Sequence, residues 1–167
     1  MRLFVAIPLD APLRRVVADA QALYRAGGVR GSYTPAENLH LTVAFIGEYP
    51  DPDRVLDVLA EVSFSPFDLT LEGVGAFGDL WWLGIRPCPE LNGYVRRVRH
   101  ALAEAGIPFD RKRFSPHITL LRRAVAGSRG MPALTVPPAT MRVTFASLMR
   151  SDRGRSGMIY TELGRVP

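Results

Sequence analysis

A chain of 167 residues that is 47% hydrophobic and 22% charged has the balance of a folded globular protein, which excludes disordered and fibrous classes. Its length suits one domain with a sizeable core, or two small lobes sharing one. The 21 basic residues against 16 acidic ones leave a net charge of +5, and Lys112 is the single lysine. The positive charge is therefore nearly all arginine, whose planar fork of donors matches phosphate oxygens, although a GC-rich genome produces the same bias and only clustering separates the two.

In chain order, RLFVAIP (2–8) is rich in β-branched and aromatic residues, ends at Pro8 and predicts a strand. Its apolar run is too short for a membrane helix or a signal-peptide core, so a cytoplasmic location and no membrane partner are expected. Asp10 and Pro12 open a helix in which Leu13, Val16, Val17, Ala20, Leu23 and Tyr24 recur at spacings of three and four, closed by Gly27 and Gly28. HLTVAFIG (40–47) predicts a second strand, and DPDR then starts a helix with Val55, Val58, Leu59 and Val62 on one face. FDLTLEGVGAF (67–77) and LWWLGI (80–85) form two strands joined around Gly78 and Asp79. A longer helix from Pro89 to Ala105 follows, stopped by Gly106 and Pro108.

HITLL (117–121) predicts another strand, residues 124–139 a loop, and MRVTFASLMR (141–150) and MIYTEL (158–163) two strands facing each other across the polar SDRGRSG. Strands and helices do not alternate one for one, so an α+β fold with mainly antiparallel sheet is expected. A strand, helix and His-bearing strand fill the first fifty residues or so, and a similar series fills 67–122, which predicts two pseudo-symmetric lobes in one domain spanning 1–167. GVGAFG (73–78) matches a dinucleotide-binding fingerprint, yet a strand follows it where that fingerprint needs a helix, so these glycines are assigned to a hairpin or bulge and no cofactor is expected.

Two of the three histidines repeat one pattern, HLT at 40–42 and HIT at 117–119. On an extended strand residues i and i+2 share a face, so His40 projects with Thr42, and His117 with Thr119, while Leu41, Val43, Ile118 and Leu120 enter the core. Two such platforms facing each other make a polar cleft. His100 lies on a mixed polar helix face without a partner and is expected to be inert. Imidazoles titrate near neutrality, so one ring can be neutral while the other is protonated, which suits general acid–base chemistry. Two nitrogens with no carboxylate or thiol at ligand spacing are too few for a metal site, and Cys88, the only cysteine, can form no intramolecular disulfide. Ser115 lacks the surroundings of a nucleophile elbow. Arg122, five residues after His117 and near the strand end, supplies a donor for the negative charge of a phosphoryl transition state, whereas Arg111, Lys112, Arg123 and Arg129 read as a solvated edge.

With RLFVAIPL at the start, PAENLHLTVAFIGE, LEGVGAF, LWWLGI, FSPHITLLR and a closing YTEL, the chain resembles the 2H phosphoesterase superfamily, and within it the bacterial and archaeal RNA 2′,3′-cyclic phosphodiesterases, also called 2′-5′ RNA ligases. The resemblance implies a two-lobed α+β fold with helices packed outside and a central cleft carrying both motifs. It implies a proton donor in His40, a proton acceptor in His117, phosphate contacts from Thr42, Thr119 and Arg122, and an RNA 2′,3′-cyclic phosphate end, including tRNA fragments, hydrolysed to a 2′-phosphomonoester without metal by a monomer. Phe45 and Tyr33 are candidates to stack on a base; many relatives carry Trp at the position of Tyr33. The alternatives are ligation of tRNA halves, hydrolysis of a small cyclic nucleotide or of ADP-ribose cyclic phosphate, and a non-catalytic module that only binds RNA ends.

Overall fold

Each of the three helices starts the same way, with a capping side chain followed by proline in the first turn. Asp10 accepts from the Leu13 amide at 2.9 Å, Asp51 from Arg54 at 3.1 Å, and the Cys88 sulfur from Leu91 at 3.4 Å. These bonds satisfy donors that the first turn leaves unpaired, and proline there sacrifices no hydrogen bond. In the computed structural model, which describes residues 1–167, the chain runs through β1 (Arg2–Pro8), α1 (Ala11–Ala26), β2 (Arg30–Tyr33), a 3-10 turn (Ala36–Asn38), β3 (His40–Glu48) and α2 (Pro52–Ala60). It continues through β4 (Phe67–Phe77), β5 (Leu80–Ile85), α3 (Pro89–Glu104), β6 (His117–Val125), β7 (Thr140–Val143), β8 (Ala146–Gly154) and β9 (Gly157–Val166). No helix is long and apolar enough to cross a membrane.

The strands form two antiparallel sheets, one of order β3-β1-β8-β9 and one of order β2-β6-β5-β4-β7. The expected repeat is visible in them: β1 pairs with β3 in the first sheet as β5 pairs with β6 in the second, with Pro8 opposite His40 and Gly84 opposite His117. The helices cross over. Helix α1, which follows β1, packs against β6 of the second sheet, while α3, which follows β5, packs against β3 of the first. Buried Gln21 on α1 fixes this crossing, because its side-chain amide donates to the carbonyls of Thr34 and Leu120, each at 2.9 Å. One continuous apolar cluster links both sheets and all three helices, so neither lobe has a core of its own.

Four local expectations change. Residues 141–150 are not one strand: β7 closes the second sheet, and after Thr144 and Phe145 the chain enters the first sheet as β8. Strand β6 runs on to Val125, into the expected loop, because β2 pairs with its second half. That short strand was not legible, since RGSY has no apolar alternation. Finally, β8 and β9 extend through the polar stretch to leave only Arg155 and Ser156 at the turn, because an antiparallel ladder tolerates polar residues where its face meets solvent.

The glycines of GVGAFG serve the β4–β5 hairpin. Gly73, at φ +76°, sits where the register shifts between Leu71 and Val74, and a Cβ on Gly75 would fall 2.4 Å from the Trp82 ring that lies across it.

Candidate active site

Both motif strands carry the same irregularity. On β3, His40 and Thr42 are half-buried, Leu41 and Val43 are buried, and then Ala44 is buried as well before Phe45 emerges again. On β6 the series repeats: His117 and Thr119 outward, Ile118, Leu120 and Leu121 inward, Arg122 outward. Each doubled inward pair coincides with a register shift against the neighbouring strand, between Val5 and Ala6 on β1 and between Trp81 and Trp82 on β5. A bulge adds one residue and flips the alternation beyond it. Strict alternation would have sent Phe45 and Arg122 into the core; the bulges turn both, five residues after their histidines, onto the wall of the shared cavity. Arg122 thus lies inside β6 and not past its end.

That cavity, of about 560 Å³, is lined by His40, Thr42, Phe45, His117, Thr119 and Arg122, with further walls from β1 and the β8–β9 hairpin. The lobes meet there: β3 approaches β6, and the Asp110 amide just ahead of β6 donates to the Phe45 carbonyl at 2.7 Å. Tyr33 is the sequence candidate that the cavity does not include. Its hydroxyl donates to the Val29 carbonyl at 2.9 Å, and the Arg25 guanidinium covers its ring at 4.1 Å, so it serves the α1–β2 joint.

The rings are held in one tautomer by geometry. His40 Nδ1 lies 2.6 Å from the Asn38 carbonyl and His117 Nδ1 lies 2.7 Å from the Ser115 carbonyl. A carbonyl can only accept, so each Nδ1 carries a hydrogen and each Nε2 is left for the cavity. His40 Nε2 is 3.0 Å from Thr42 Oγ1, which donates to it when the ring is neutral and accepts when it is protonated. Burial, above all, pulls His40 below the ordinary imidazole value of 6.5; the Asn38 carbonyl works against this, and the charges of Arg122 and His117 lower it further.

Several neighbours went unnoticed in the sequence. Phe4 and Tyr160 flank His40, with ring centroids at 5.1 and 5.5 Å, and Phe77 and Trp82 flank His117 at 5.2 and 6.3 Å. Asn38 is buried; its side-chain amide donates to the Met158 carbonyl on β9 at 2.9 Å while its own carbonyl holds His40. RLFVAIP is a continuous apolar run without alternation and gave no signal that Phe4 faces the site, and Tyr160 and Asn38 meet His40 only through long-range pairing that no local pattern encodes.

The comparisons with known proteins concern the fold and the family. A family model described as 2′-5′ RNA ligase superfamily matches residues 9–155. An RNA 2′,3′-cyclic phosphodiesterase of Escherichia coli (strain K12) is 34% identical over 173 residues, which cover 98% of this chain and 94% of that protein. Another from Archaeoglobus fulgidus is 36% identical over 130 residues, covering 73% of this chain and 72% of that one. The crystal structure of E. coli LigT complexed with 3′-AMP superposes with a TM-score of 0.80 at 31% identity, over 98% of this chain and 95% of that one. The chain belongs to the 2′-5′ RNA ligase superfamily.

Proposed function

We propose that this protein hydrolyses the 2′,3′-cyclic phosphate at an RNA end to a 2′-phosphomonoester, with His117 as base and His40 as acid. One observation carries the reading: two strands of like design deliver two imidazoles, each with Nε2 directed into the cavity, beside two threonines and a guanidinium. His117 Nε2 takes a proton from water as its oxygen bonds to phosphorus. The phosphorus–O3′ bond breaks, and His40 Nε2 hands its proton to the departing O3′. Arg122, Thr42 and Thr119 donate to the non-bridging oxygens, where charge concentrates in the transition state. The printed names of the relatives support the substrate class, and the 3′-AMP held by LigT is a ribonucleotide with phosphate at the same end of the ribose, on O3′ where the proposed product carries it on O2′.

The direct test is incubation with an oligoribonucleotide ending in a 2′,3′-cyclic phosphate, with 31P NMR to identify the oxygen that keeps phosphorus. A 2′-phosphate and a rate unchanged by EDTA are expected; a 3′-phosphate reverses the leaving group, and no turnover refutes the proposal. The division of labour has its own test. An activated aryl phosphodiester needs no proton on its leaving group, so it restores turnover to His40→Ala and not to His117→Ala. The opposite result exchanges the two roles.

A further inference from the structure

The cavity continues past the catalytic groups to the far end of β1. Its wall there is Arg2, and the β8–β9 hairpin, whose Met158 carbonyl is also tied to Asn38 beside His40, adds Ser151, Asp152, Arg153 and Met158. Register explains why these meet: Arg2 pairs with Ser151, and Arg153, two residues further on the same face of β8, pairs with Met158. Both arginines are exposed.

What distinguishes this end is the state of its charges. It holds two carboxylates, and each is already engaged by another cation: Asp152 by Arg150 at 2.8 Å, Glu48 by the Met1 amino group at 3.2 Å. Neither Arg2 nor Arg153 takes part in an ion pair or a side-chain hydrogen bond. Arg2 instead lies over the Phe45 ring, 5.0 Å from its centroid, a contact that leaves its N–H donors without a protein acceptor. Met158, which is 37% exposed, offers apolar surface beside Arg153. Two unpaired guanidinia next to an aromatic ring and an apolar side chain are what a single-stranded nucleic acid uses, phosphate to arginine and base to apolar face.

Distance decides which phosphate they meet. Thr42 lies opposite Ala6, and Arg2 is four residues back along β1, roughly 13 Å at a strand rise of 3.3 Å per residue. The Arg2 side chain reaching back toward the cavity closes much of that gap, leaving roughly one nucleotide's span between the reacting phosphorus and its guanidinium, and Arg153 joins it through the Arg2–Ser151 pairing two residues away.

Resting on the proposed reading of the catalytic groups, we infer that Arg2 and Arg153 form a second phosphate subsite for the phosphodiester on the 5′ side of the terminal nucleotide. The preferred substrate is then an oligonucleotide, not a cyclic mononucleotide. The terminal nucleotide occupies the histidine end, and the chain leaves over Phe45 and the β8–β9 hairpin.

The experiment compares kcat/KM for a cyclic 2′,3′-nucleoside monophosphate with that for a trinucleotide ending in the same cyclic phosphate, and for that trinucleotide with an uncharged methylphosphonate at the penultimate linkage. The intact protein is expected to favour the charged trinucleotide by about tenfold or more, and Arg153→Ala and Arg2→Ala each to remove most of that preference. Arg153→Ala also lowers the slope of log(kcat/KM) against log salt by roughly 0.7, the share of one single-strand phosphate. The methylphosphonate and Arg153→Ala losses overlap instead of adding, because both delete one contact. Arg129→Ala, on the distant loop, keeps the preference. The subsite is overturned if the intact protein treats mononucleotide and trinucleotide alike, or if Arg153→Ala slows both equally. Absence of turnover on every substrate overturns the catalytic reading itself, a separate result.

Discussion

His40 and His117 sit at equivalent points of two strands that share their bulge, their threonine and their backbone-held Nδ1, yet their surroundings differ. His40 is enclosed: Thr42 reaches its Nε2, Phe4 and Tyr160 flank it, and burial lowers its pKa. On the His117 side no threonine bond forms, and Phe77, one of its two ring neighbours, is 46% exposed. At the fifth position after the histidine, one strand presents an uncharged ring, Phe45, and the other a cation, Arg122. The backbone repeat supplies two matching positions, and side chains alone decide which becomes acid, which base, and where the phosphate charge is held.

The most severe break in this comparison is loss of either ring. His40→Ala and His117→Ala are each expected to lower kcat on a cyclic phosphate by about 10³-fold or more, since general acid and base catalysis each contribute on the order of 10² to 10⁴. Both rings line the cavity and His117 stands on its more open side, so His117→Ala should keep its melting temperature near that of the intact protein. His40→Ala also loses packing against Phe4 and Tyr160 and should melt somewhat lower. The two losses are also expected to overlap in the double variant, because each proton transfer depends on the other. A His40→Ala protein turning over at nearly full rate would end the paired scheme.

Next comes the fifth position. Arg122→Ala is expected to cost roughly 10²-fold in kcat, the scale of removing one donor from an oxyanion site. Phe45→Ala should act mainly on KM, by roughly 1–3 kcal/mol if the ring supports a base directly or through Arg2. Equal effects of the two on kcat would mean that the bulges deliver equivalent groups, contrary to the asymmetry described here.

Asn38 offers a subtler lesion. It touches no reacting atom, but its side chain is anchored to β9 and its carbonyl fixes the His40 tautomer. Asn38→Ala frees that turn and leaves the Met158 carbonyl without its partner. A loss of roughly 10- to 100-fold in kcat is expected, in keeping with small displacements of a catalytic group. An equal change of kcat for the activated aryl substrate, which bypasses the acid, would show that Asn38 acts on the fold in general and not through His40.

Much of this design could be read from the sequence, and the parts that could not share a cause. Strand and helix positions followed from local periodicity, and the repeated H-x-T spacing placed two rings on outward faces. Strict periodicity would turn Phe45 and Arg122 into the core, because a bulge is set by pairing with another strand; Arg122 was legible from its charge near the expected strand end, and Phe45 from its place just after the first motif. Tyr33 shows the reverse: the resemblance made it a stacking candidate because relatives carry Trp there, but its hydroxyl is bonded to Val29 and its ring is covered by Arg25, away from the cavity. Asn38, Tyr160 and the arginines beyond Phe45 depend on β8 and β9, more than a hundred residues from the first motif, and no short pattern joins them. The split of 141–150 between two sheets was invisible for the same reason.

The smallest effect is the most specific to the asymmetry. As the acid, His40 must carry a proton in the active free enzyme, so kcat/KM falls as pH rises through its pKa. Burial, then the positive charges of Arg122 and His117, hold that value below 6.5, and the alkaline limb of the profile should lie correspondingly low. Arg122→Gln removes one of the lowering causes while keeping a donor, so the cation of His40 becomes easier to form. The limb then moves upward, part of the way back, because burial is the larger cause and remains. Arg122→Lys keeps the charge and should leave the limb in place, although it loses the forked contact and some kcat. Burial acts alike in all three proteins, so the comparison among them isolates the charge at position 122. A limb that moves downward in Arg122→Gln would show that the group losing its proton is not beside this guanidinium, and the acid would have to be sought elsewhere than at His40.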